Sequence, residues 1–330
     1  MSDHNSLNTF EGLCNHLHTA TLCSVDLEGI KKFYVGVMGM TIDGPISLTS
    51  EQKSTQRKLW GIPDDIDYDY YHIHRAAVPS LINIRLLHLQ TATPHIHKSY
   101  SSRELGSFSL GFPNGDIKQM DKRVEEGGFG QMAPMQTGDV TRDGKTYPYY
   151  ETIYQGPDYL HCVGLQRGGG MEQVSPIDKV TNLGGPGYSA FVTDRSDDEL
   201  DFYINVLGLE IRFDWVWEAS PGSALGIAEG VPFRFVSLYA QGSHQNHLLF
   251  LDYKDGIFEE TNAPPCIPNQ GLGMWTFETK DMDAVISNAK TKEISVVGGP
   301  DQCDDPIVGK CKSLTLKTPS GFLVEVFECI

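Results

Sequence analysis

An internal duplication constrains this chain more than any other feature. Residues 33–40 read FYVGVMGM and match FYINVLGL at residues 202–209 position for position. Farther along, Gly61-Ile62 falls opposite Gly226-Ile227 at nearly the same offset. Because self-similarity at a fixed offset means that one structural unit is used more than once, the chain should fold as two similar halves.

Each half reads twice as a strand, a helix and further strands. Asp26 is the expected N-cap of a helix whose apolar residues follow helical spacing, and Gly39 should end that helix. The same order recurs three more times. The expected first strands cover residues 17–25, 107–112, 187–193 and 273–279, and the helices cover residues 27–37, 116–126, 197–207 and 282–290. The sequence therefore predicts four modules.

The glycine run Gly168-Gly169-Gly170 marks the boundary between the halves. It opens a polar stretch that reaches Asn182 and lacks a periodic apolar pattern. We therefore expect an N-terminal domain at residues 1–167 with modules 1 and 2, a linker at 168–182, and a C-terminal domain at 183–330 with modules 3 and 4.

Charge and hydropathy exclude several classes of partner. With 43 acidic against 26 basic residues, the formal net charge is -17, which repels phosphate backbones and anionic membranes. No apolar run approaches the roughly 18 residues that span a bilayer, and the N-terminus lacks a basic segment followed by an apolar one. The seven cysteines contain no C-x-x-C pair, as is typical of reduced thiols. We expect a cytoplasmic protein that binds neither nucleic acid nor membrane.

The helix motif carries a family resemblance. A helix entered through Asp-Leu-Glu at residues 26–28, carrying Phe-Tyr and closing on Met-Gly-Met or Leu-Gly-Leu, resembles the vicinal-oxygen-chelate superfamily of glyoxalases, bleomycin-resistance proteins and extradiol dioxygenases. The stretch PSGFLVEV at residues 319–326 is similar to that family's last strand. The resemblance implies an α+β fold, with four βαβββ modules paired into two cup-shaped mixed sheets. It also implies metal ligands on the first and last strand of each module.

The C-terminal half departs from the family's metal-binding pattern. Its first-strand positions fall on Gly187 or Tyr188 and on Met274, and none of these is histidine. Only Glu325 stands where a family metal ligand belongs. The two histidines and one carboxylate that hold Fe(II) in ring-cleaving dioxygenases are therefore not all present in this half.

The N-terminal half has more polar residues at the matching positions. His18 aligns with Gly187, and His161 lies two residues before the position of Glu325. Because side chains alternate along a strand, Tyr71 and Ile73 should face the helices. The opposite face, together with the inward position of the next strand, should line the cup with Tyr68, Tyr70, His72, His74 and Arg85.

This polar cluster in an apolar cup predicts acid-base chemistry on a small hydrophobic, aromatic or enolisable metabolite, of lyase or isomerase type. The expected catalytic residues are His18, His72, His161 and Arg85, the last holding negative charge. The expected substrate-binding residues are Tyr68, Tyr70, His74 and Tyr149. A divalent Fe, Zn or Mn ion is admitted but not required, with ligands His18, His161 and Glu151, or Glu325 in the second cup.

Two alternatives stay open at this point. The first is an Fe(II)-dependent extradiol-type ring-cleaving dioxygenase with its ligands in another register. The second is a non-catalytic protein that binds and sequesters its ligand. All three hypotheses require a small-molecule partner, and the sequence leaves open whether identical chains associate.

Overall fold

The computed structural model describes residues 10–77, 82–142 and 144–330. The strands of module 1 are β1 (Cys14–Ser24), β2 (Thr41–Ile46), β3 (Tyr68–His74) and β4 (Asn83–Leu89). Those of module 2 are β5 (Gly106–Pro113), β6 (Gln136–Arg142), β7 (Lys145–Gln155) and β8 (His161–Arg167). Between the halves lie the short strands β9 (Ile177–Asp178) and β10 (Leu183–Gly184).

Modules 3 and 4 repeat this order. Module 3 contains β11 (Tyr188–Val192), β12 (Glu210–Glu218), β13 (Pro232–Tyr239) and β14 (His247–Tyr253). Module 4 contains β15 (Gly271–Thr279), β16 (Ser295–Asp305), β17 (Gly309–Lys317) and β18 (Leu323–Cys329). The α-helices are α1 (Leu27–Ile30), which continues as a π-helix over Lys31–Val37, α2 (Ser50–Trp60), α3 (Ile117–Glu126), α4 (Ser196–Asn205) and α5 (Met282–Thr291).

The sixteen module strands form two curled eight-stranded mixed sheets. Sheet 1 has the order β16-β17-β18-β15-β1-β4-β3-β2, and sheet 2 has the order β12-β13-β14-β11-β5-β8-β7-β6. The predicted α+β fold of four βαβββ modules in two cups is confirmed.

The partners within each sheet differ from the expectation. Sheet 1 joins module 1 to module 4, because β1 pairs antiparallel with β15, with Ala20 opposite Trp275. Sheet 2 joins module 2 to module 3 through β5 and β11, with Ser109 opposite Ala190. Our expectation that modules 1 and 2 share one cup, and modules 3 and 4 the other, is therefore wrong. Duplicated modules offer equivalent edge strands, so the repeat alone does not select which two edges pair. The division of the chain at residues 167 and 183 stays a prediction.

The predicted helix starts are confirmed at three positions. The carboxylates of Asp26, Asp116 and Asp281 each accept a hydrogen bond from the backbone N–H three residues later, at 2.9, 3.0 and 2.9 Å. Such caps satisfy backbone donors that have no partner within the helix. The helix-bearing faces of both sheets share one apolar core, which includes Ile73 and Ile84.

The opposite, concave face of each sheet forms a cup. Cup 1 is the concave face of sheet 1, where a second apolar cluster includes Tyr68, Tyr70 and Met274. Cup 2 is the concave face of sheet 2, and its cluster includes Tyr188, Val163 and Leu249. Among the described residues, no helix has both the length and the apolar character that a membrane crossing needs.

Helix α2 was not expected from the sequence. It begins in a capping box in which Thr49 and Gln52 bond each other's backbone N–H groups, and it ends at Gly61, whose φ of 66° is left-handed. The helix leaves module 1 and lies against β16 of module 4, where Gln52 Nε2 donates to the carbonyl oxygen of Asp304 at 2.9 Å. Its last residue, Trp60, is 1% exposed. The helix therefore covers cup 1.

Candidate functional site

Arg85 and Glu325 occupy the centre of cup 1. Thr21 of β1 is the strand partner of Arg85 on β4, and Thr276 of β15 is the partner of Glu325 on β18. The guanidinium Nη1 of Arg85 donates to the Glu325 carboxylate at 2.9 Å and to the Thr21 hydroxyl at 3.2 Å. Thr276 donates to the same carboxylate oxygen at 2.9 Å. These four positions lie on the first and last strands of modules 1 and 4, where the resemblance places metal ligands.

The charges at this centre are fully enclosed. The indole Nε1 of Trp60 donates to Glu325 at 2.8 Å, and the Trp60 ring lies 4.6 Å from the Arg85 guanidinium carbon. Tyr70 accepts a hydrogen bond from Arg85 Nε at 3.0 Å and donates to Asp305 at 2.9 Å. Arg85 is 0% exposed, so a ligand reaches it only if helix α2 moves.

The side chains of β3 and β4 point to the predicted faces of the sheet, but not every residue expected to contact a ligand is accessible. Tyr71, Ile73 and Ile84 belong to the core on the helix side. Tyr68 donates to the Gln56 side chain of helix α2 at 3.0 Å and, like Tyr70, is 1% exposed. Helix α2 therefore occupies the place where a ligand would touch these two tyrosines.

Histidines gather at the rim of cup 1. Leu17 pairs with Phe277 and Thr19 with Thr276, so His18 is the extra residue of a β-bulge. The bulge places the His18 ring 5.2 Å from that of Phe327, and its Nδ1 lies 2.8 Å from the Thr19 hydroxyl. Burial lowers the pKa of His18 to about 3, which keeps the ring neutral.

His72 and His74 follow on β3. Their rings stack with centroids 4.5 Å apart. His72 Nε2 lies 2.8 Å from the Asn83 side-chain oxygen, and His74 Nε2 lies 2.8 Å from an Asp43 carboxylate oxygen. Burial also lowers the pKa of His72. The structure thus brings His18, His72 and His74 close together, and their expected catalytic and binding roles stay predictions.

His161 does not join this cluster. It lies on β8 of sheet 2, where its ring nitrogens face the carbonyl oxygens of Phe108 and Tyr100, both at 3.3 Å. Burial lowers its pKa to about 4. Glu151 lies on β7, opposite Leu165, whereas His161 is opposite Gln155, about 13 Å farther along the strand. The predicted metal trio of His18, His161 and Glu151 is therefore not brought together.

The centre of cup 2 is apolar. The strand pairs that correspond to Thr21–Arg85 and Thr276–Glu325 are Ala190–Leu249 and Gly111–Val163. Tyr188 lies over Gly111, where an added Cβ would be 2.0 Å from the tyrosine ring. A side chain larger than glycine at residue 111 would displace Tyr188 from the cup floor.

Glu151 is the ionisable group that stands out in cup 2. Glu151 and Ile153 are two residues apart on β7, so both side chains point to the cup 2 face, where Ile153 belongs to the cup 2 cluster. The charge of Glu151 adds to the burial that raises the pKa of Tyr188. Burial raises the pKa of Glu151 from 4.5 to about 7, and Arg167 opposes this only partly. Among the described residues, its carboxylate has no hydrogen-bond or ion-pair partner. A desolvated carboxyl with a pKa near neutrality is suited to proton transfer.

Exposed aromatic side chains form one wall of cup 2. Directly opposite residues of antiparallel strands share a face, so Trp215 and Trp217 lie on the same side as Phe235 and Phe233 of the cup 2 cluster. Trp215 is 60% exposed and Trp217 is 58% exposed. Neither tryptophan is among the site residues expected from the sequence, although the alternation of aromatic residues in FDWVW is typical of a cup lining that suits a flat or apolar ligand.

The opposite wall and a covering loop complete cup 2. Tyr149 is two residues from Glu151 on β7, so it lies on the same face of the sheet. Its hydroxyl accepts a hydrogen bond from Gln136 Nε2 at 3.1 Å. The loop at residues 219–231 takes the place that helix α2 has in module 1, and its Ala224 N–H donates to Gln136 at 2.9 Å. The loop packs Ala224, Leu225 and Ile227 against the cup 2 cluster and leaves the two tryptophans exposed, so a loop covers cup 2 where a helix covers cup 1.

The residues that pair at the cup centres, on the strands where the resemblance places metal ligands, do not fit a metal ion in either cup. In cup 1 they hold a single carboxylate, and the guanidinium of Arg85 already supplies the positive charge that this carboxylate binds. In cup 2 the corresponding residues are Ala190, Leu249, Gly111 and Val163, which offer no side-chain donor atom. Divalent metals need several imidazole, thiolate or carboxylate ligands.

Comparison with known proteins gives a family match for part of the chain and a similar fold for almost all of it. Residues 185–326 match the model of the Glyoxalase/Bleomycin resistance protein/Dioxygenase superfamily. A search of curated proteins gives no match. The crystal structure of glyoxalase I from Zea mays superimposes with a TM-score of 0.61 at 14% identity, covering 95% of this chain and 92% of that one.

A second solved structure has a similar fold along almost the whole chain. A protein from Bacillus subtilis, named as a candidate dioxygenase, superimposes with a TM-score of 0.55 at 14% identity, covering 96% of this chain and 86% of that one. At this identity both likenesses concern the fold alone. Residues 185–326 therefore match the superfamily in sequence, and the two sheets of four modules have the fold of its two-domain members.

Proposed function

We propose that this protein is an enzyme that moves a proton on a flat, apolar small molecule bound in cup 2, with Glu151 as the acid-base group. The observation that carries the proposal is the Glu151 carboxyl, whose pKa burial raises to about 7 on the aromatic-lined face of sheet 2. Concave apolar sites with a few polar groups are the usual form of small-molecule sites. The proposal keeps the predicted lyase or isomerase chemistry but moves it from the N-terminal histidines to sheet 2.

The aromatic walls support the nature of the ligand. Trp215 and Trp217 on one side and Tyr149 on the other lie on the cup 2 side of sheet 2. The loss of water contact by such large side chains favours binding of a planar apolar molecule. Tyr188 and Leu249 of the floor offer further apolar surface. An aromatic compound with an acidic C–H or O–H group is therefore the substrate class that fits.

The chemistry follows from the state of Glu151. With a pKa of about 7, the carboxyl is close to half ionised at neutral pH. The ionised form removes a proton from the bound molecule, and the resulting carboxylic acid returns it to the same or a neighbouring atom. General acid-base catalysis by one such group contributes roughly 10²- to 10⁴-fold in rate.

The dioxygenase alternative has less support. Fe(II) in such enzymes is held by two histidines and one carboxylate with open positions. In cup 1 the corresponding positions are Thr21, Arg85, Thr276 and Glu325, and in cup 2 they have no donor side chain. A ligand-sequestering protein uses the same aromatic cup without Glu151 chemistry, so experiment must separate it from the enzyme.

Hydrogen-deuterium exchange at carbon tests the proposal. The chain is incubated in D₂O with small aromatic ketones and 2-oxo acids, phenylpyruvate among them, and loss of the acidic C–H signal is followed by NMR. We expect catalysed exchange whose rate rises with an inflection near pH 7 and disappears in Glu151→Gln. Glu125→Gln, which makes the same charge change at an exposed position of helix α3, should leave the rate unchanged.

The same experiment identifies a binding protein. If the wild type broadens or shifts the ligand signals without any exchange, and Glu151→Gln binds equally well, the cup only holds its ligand. Equal exchange rates in the wild type and Glu151→Gln would contradict the assignment of Glu151 as the acid-base group.

A further inference from the structure

We propose that Asp43, His72 and His74 form a binding site for a divalent transition-metal ion, with Zn²⁺ as the test ion, at the rim of cup 1. One ligand atom from each of the three residues lies within 4.8 Å of one atom from both others. Two imidazoles and one carboxylate form a ligand set that suits Zn²⁺ and its neighbours in the first transition row. This site is separate from the superfamily positions at the cup centres and from Glu151.

Strand geometry brings the three residues together. His72 and His74 are two residues apart on β3, so they point to the same face of sheet 1. Asp43 is the strand partner of His72 on β2, and Thr41 is the partner of His74. From this diagonal position the Asp43 carboxylate reaches His74 Nε2 at 2.8 Å. The arrangement therefore depends on regular β pairing rather than on loop positions.

The distances are close to those a metal ion needs. Ligand atoms bound to one tetrahedral Zn²⁺ at about 2.0–2.2 Å lie roughly 3.3 Å from one another. The 2.8 Å contact between His74 and Asp43 has to widen slightly, as the ion takes the place of the proton between them. The stacked rings of His72 and His74, with centroids 4.5 Å apart, have to tilt together. Both are side-chain adjustments.

Asn83 orients one of the ligands. When His72 Nε2 carries the proton, it donates to the Asn83 oxygen at 2.8 Å and leaves Nδ1 with its lone pair for a metal. Metal-binding histidines commonly donate their second ring N–H to an oxygen in this way. His72 is half-buried whereas Asp43 is exposed, so an ion enters from solvent on the Asp43 side.

Zinc uptake by the whole chain tests the site. The untagged protein is stripped with a chelator, dialysed against ZnCl₂ and analysed by mass spectrometry of the metal, and Co²⁺ absorption reports the ligand field. We expect one Zn²⁺ at this site. His72→Gln, His74→Gln and Asp43→Asn should each weaken it at least about tenfold, because even outer-shell changes commonly cost 10- to 100-fold.

Two control variants separate this site from other donors. His88→Gln removes a histidine of β4 that lies 3.8 Å from Asp69 of β3 and belongs to no such group of three among the described residues, so it should leave binding unchanged. Cys303→Ser removes the competing thiol pair, in which the sulfur atoms of Cys303 and Cys311 are 3.2 Å apart. Zinc uptake that His72→Gln and His74→Gln leave intact, or that Cys303→Ser abolishes, would overturn the proposal, as would a wild type that takes up none.

Discussion

Arg85 Nη1 and the Glu325 carboxylate lie 2.9 Å apart at the centre of cup 1, where the two side chains are 0% and 3% exposed. Asp305 adds a second carboxylate 3.4 Å from the same guanidinium. A charge buried this deeply is tolerated only when it is paired and hydrogen-bonded. The pair therefore makes cup 1 a structural element rather than an open binding site.

Removing the Arg85 guanidinium should lower the free energy of unfolding more than neutralising Glu325. Arg85→Met leaves two buried carboxylates without their cation, so we expect the free energy of unfolding to fall by about 3–5 kcal/mol. Glu325→Gln should cost less, because Arg85 keeps Asp305. Urea unfolding monitored by circular dichroism measures both. Lys31→Met, which removes an exposed pair with Glu28, should cost under about 1 kcal/mol. Equal losses for Arg85→Met and Lys31→Met would contradict this picture.

Glu151 should make the fold less stable as the pH rises. Its pKa is raised from 4.5 to about 7 by burial, so between these values the folded chain holds a proton that the unfolded chain has lost. Stability contributed by the protonated form is therefore present below about pH 4.5 and is lost as the pH rises through 7. Relative to the wild type, Glu151→Gln should gain up to about 3 kcal/mol between pH 4.5 and 8, at roughly 1.4 kcal/mol per pKa unit. A pH-independent difference in urea midpoints would refute this expectation.

His247 should make the fold less stable as the pH falls, which is the opposite of the effect of Glu151. It stacks on Tyr239 with ring centroids 4.5 Å apart, and burial lowers its pKa from 6.5 to about 3. Below pH 6.5 His247 binds a proton in the unfolded chain but not in the folded chain, so the free energy of unfolding falls as the pH drops. His247→Phe keeps the stacking and should make the loss between pH 7 and 5 shallower. His244→Phe, at an exposed position, should leave the slope as it is.

Tryptophan fluorescence should report the exposure of Trp215 and Trp217 on the wall of cup 2. Trp215 and Trp217 are 60% and 58% exposed, whereas Trp60 and Trp275 are 1% and 0% exposed. Acrylamide should therefore quench one part of the emission readily and leave another part protected. The double variant Trp215→Phe, Trp217→Phe should lose the accessible part, and a planar ligand in cup 2 should shield it in the wild type. A single uniform quenching constant would contradict the difference in exposure between these two pairs of tryptophans.

Local patterns predicted the elements of this fold well. The aspartate caps at Asp26 and Asp116 mark helix starts because a side-chain acceptor at that position is a local requirement. The alternation along β3 gave the correct face for Tyr71 and Ile73, because a half-buried strand needs one apolar side. The duplicated motifs gave the four modules.

Long-range relationships were not contained in those patterns. The partner of β1 is β15, more than 250 residues away in sequence, and nothing within module 1 specifies it. The β-bulge at His18 shifts the register that a regular strand would have. Glu151 was noticed as a metal ligand, but its raised pKa depends on burial among residues of several strands. Helix α2 is not predicted by the sequence patterns, and it covers the centre of cup 1.

The strands of sheet 2 lie, in sequence, between the two modules that form sheet 1, and this sets an order of assembly during synthesis. All strands of sheet 2 lie between Gly106 and Tyr253, so that sheet can close before module 4 leaves the ribosome. Module 1 emerges first but has to wait for the last strands of the chain before β1 gains its neighbour β15. Until then the β1 edge that pairs with β15 is unpaired, and a chain truncated after residue 253 would have one complete sheet and one half-sheet whose free edge favours aggregation.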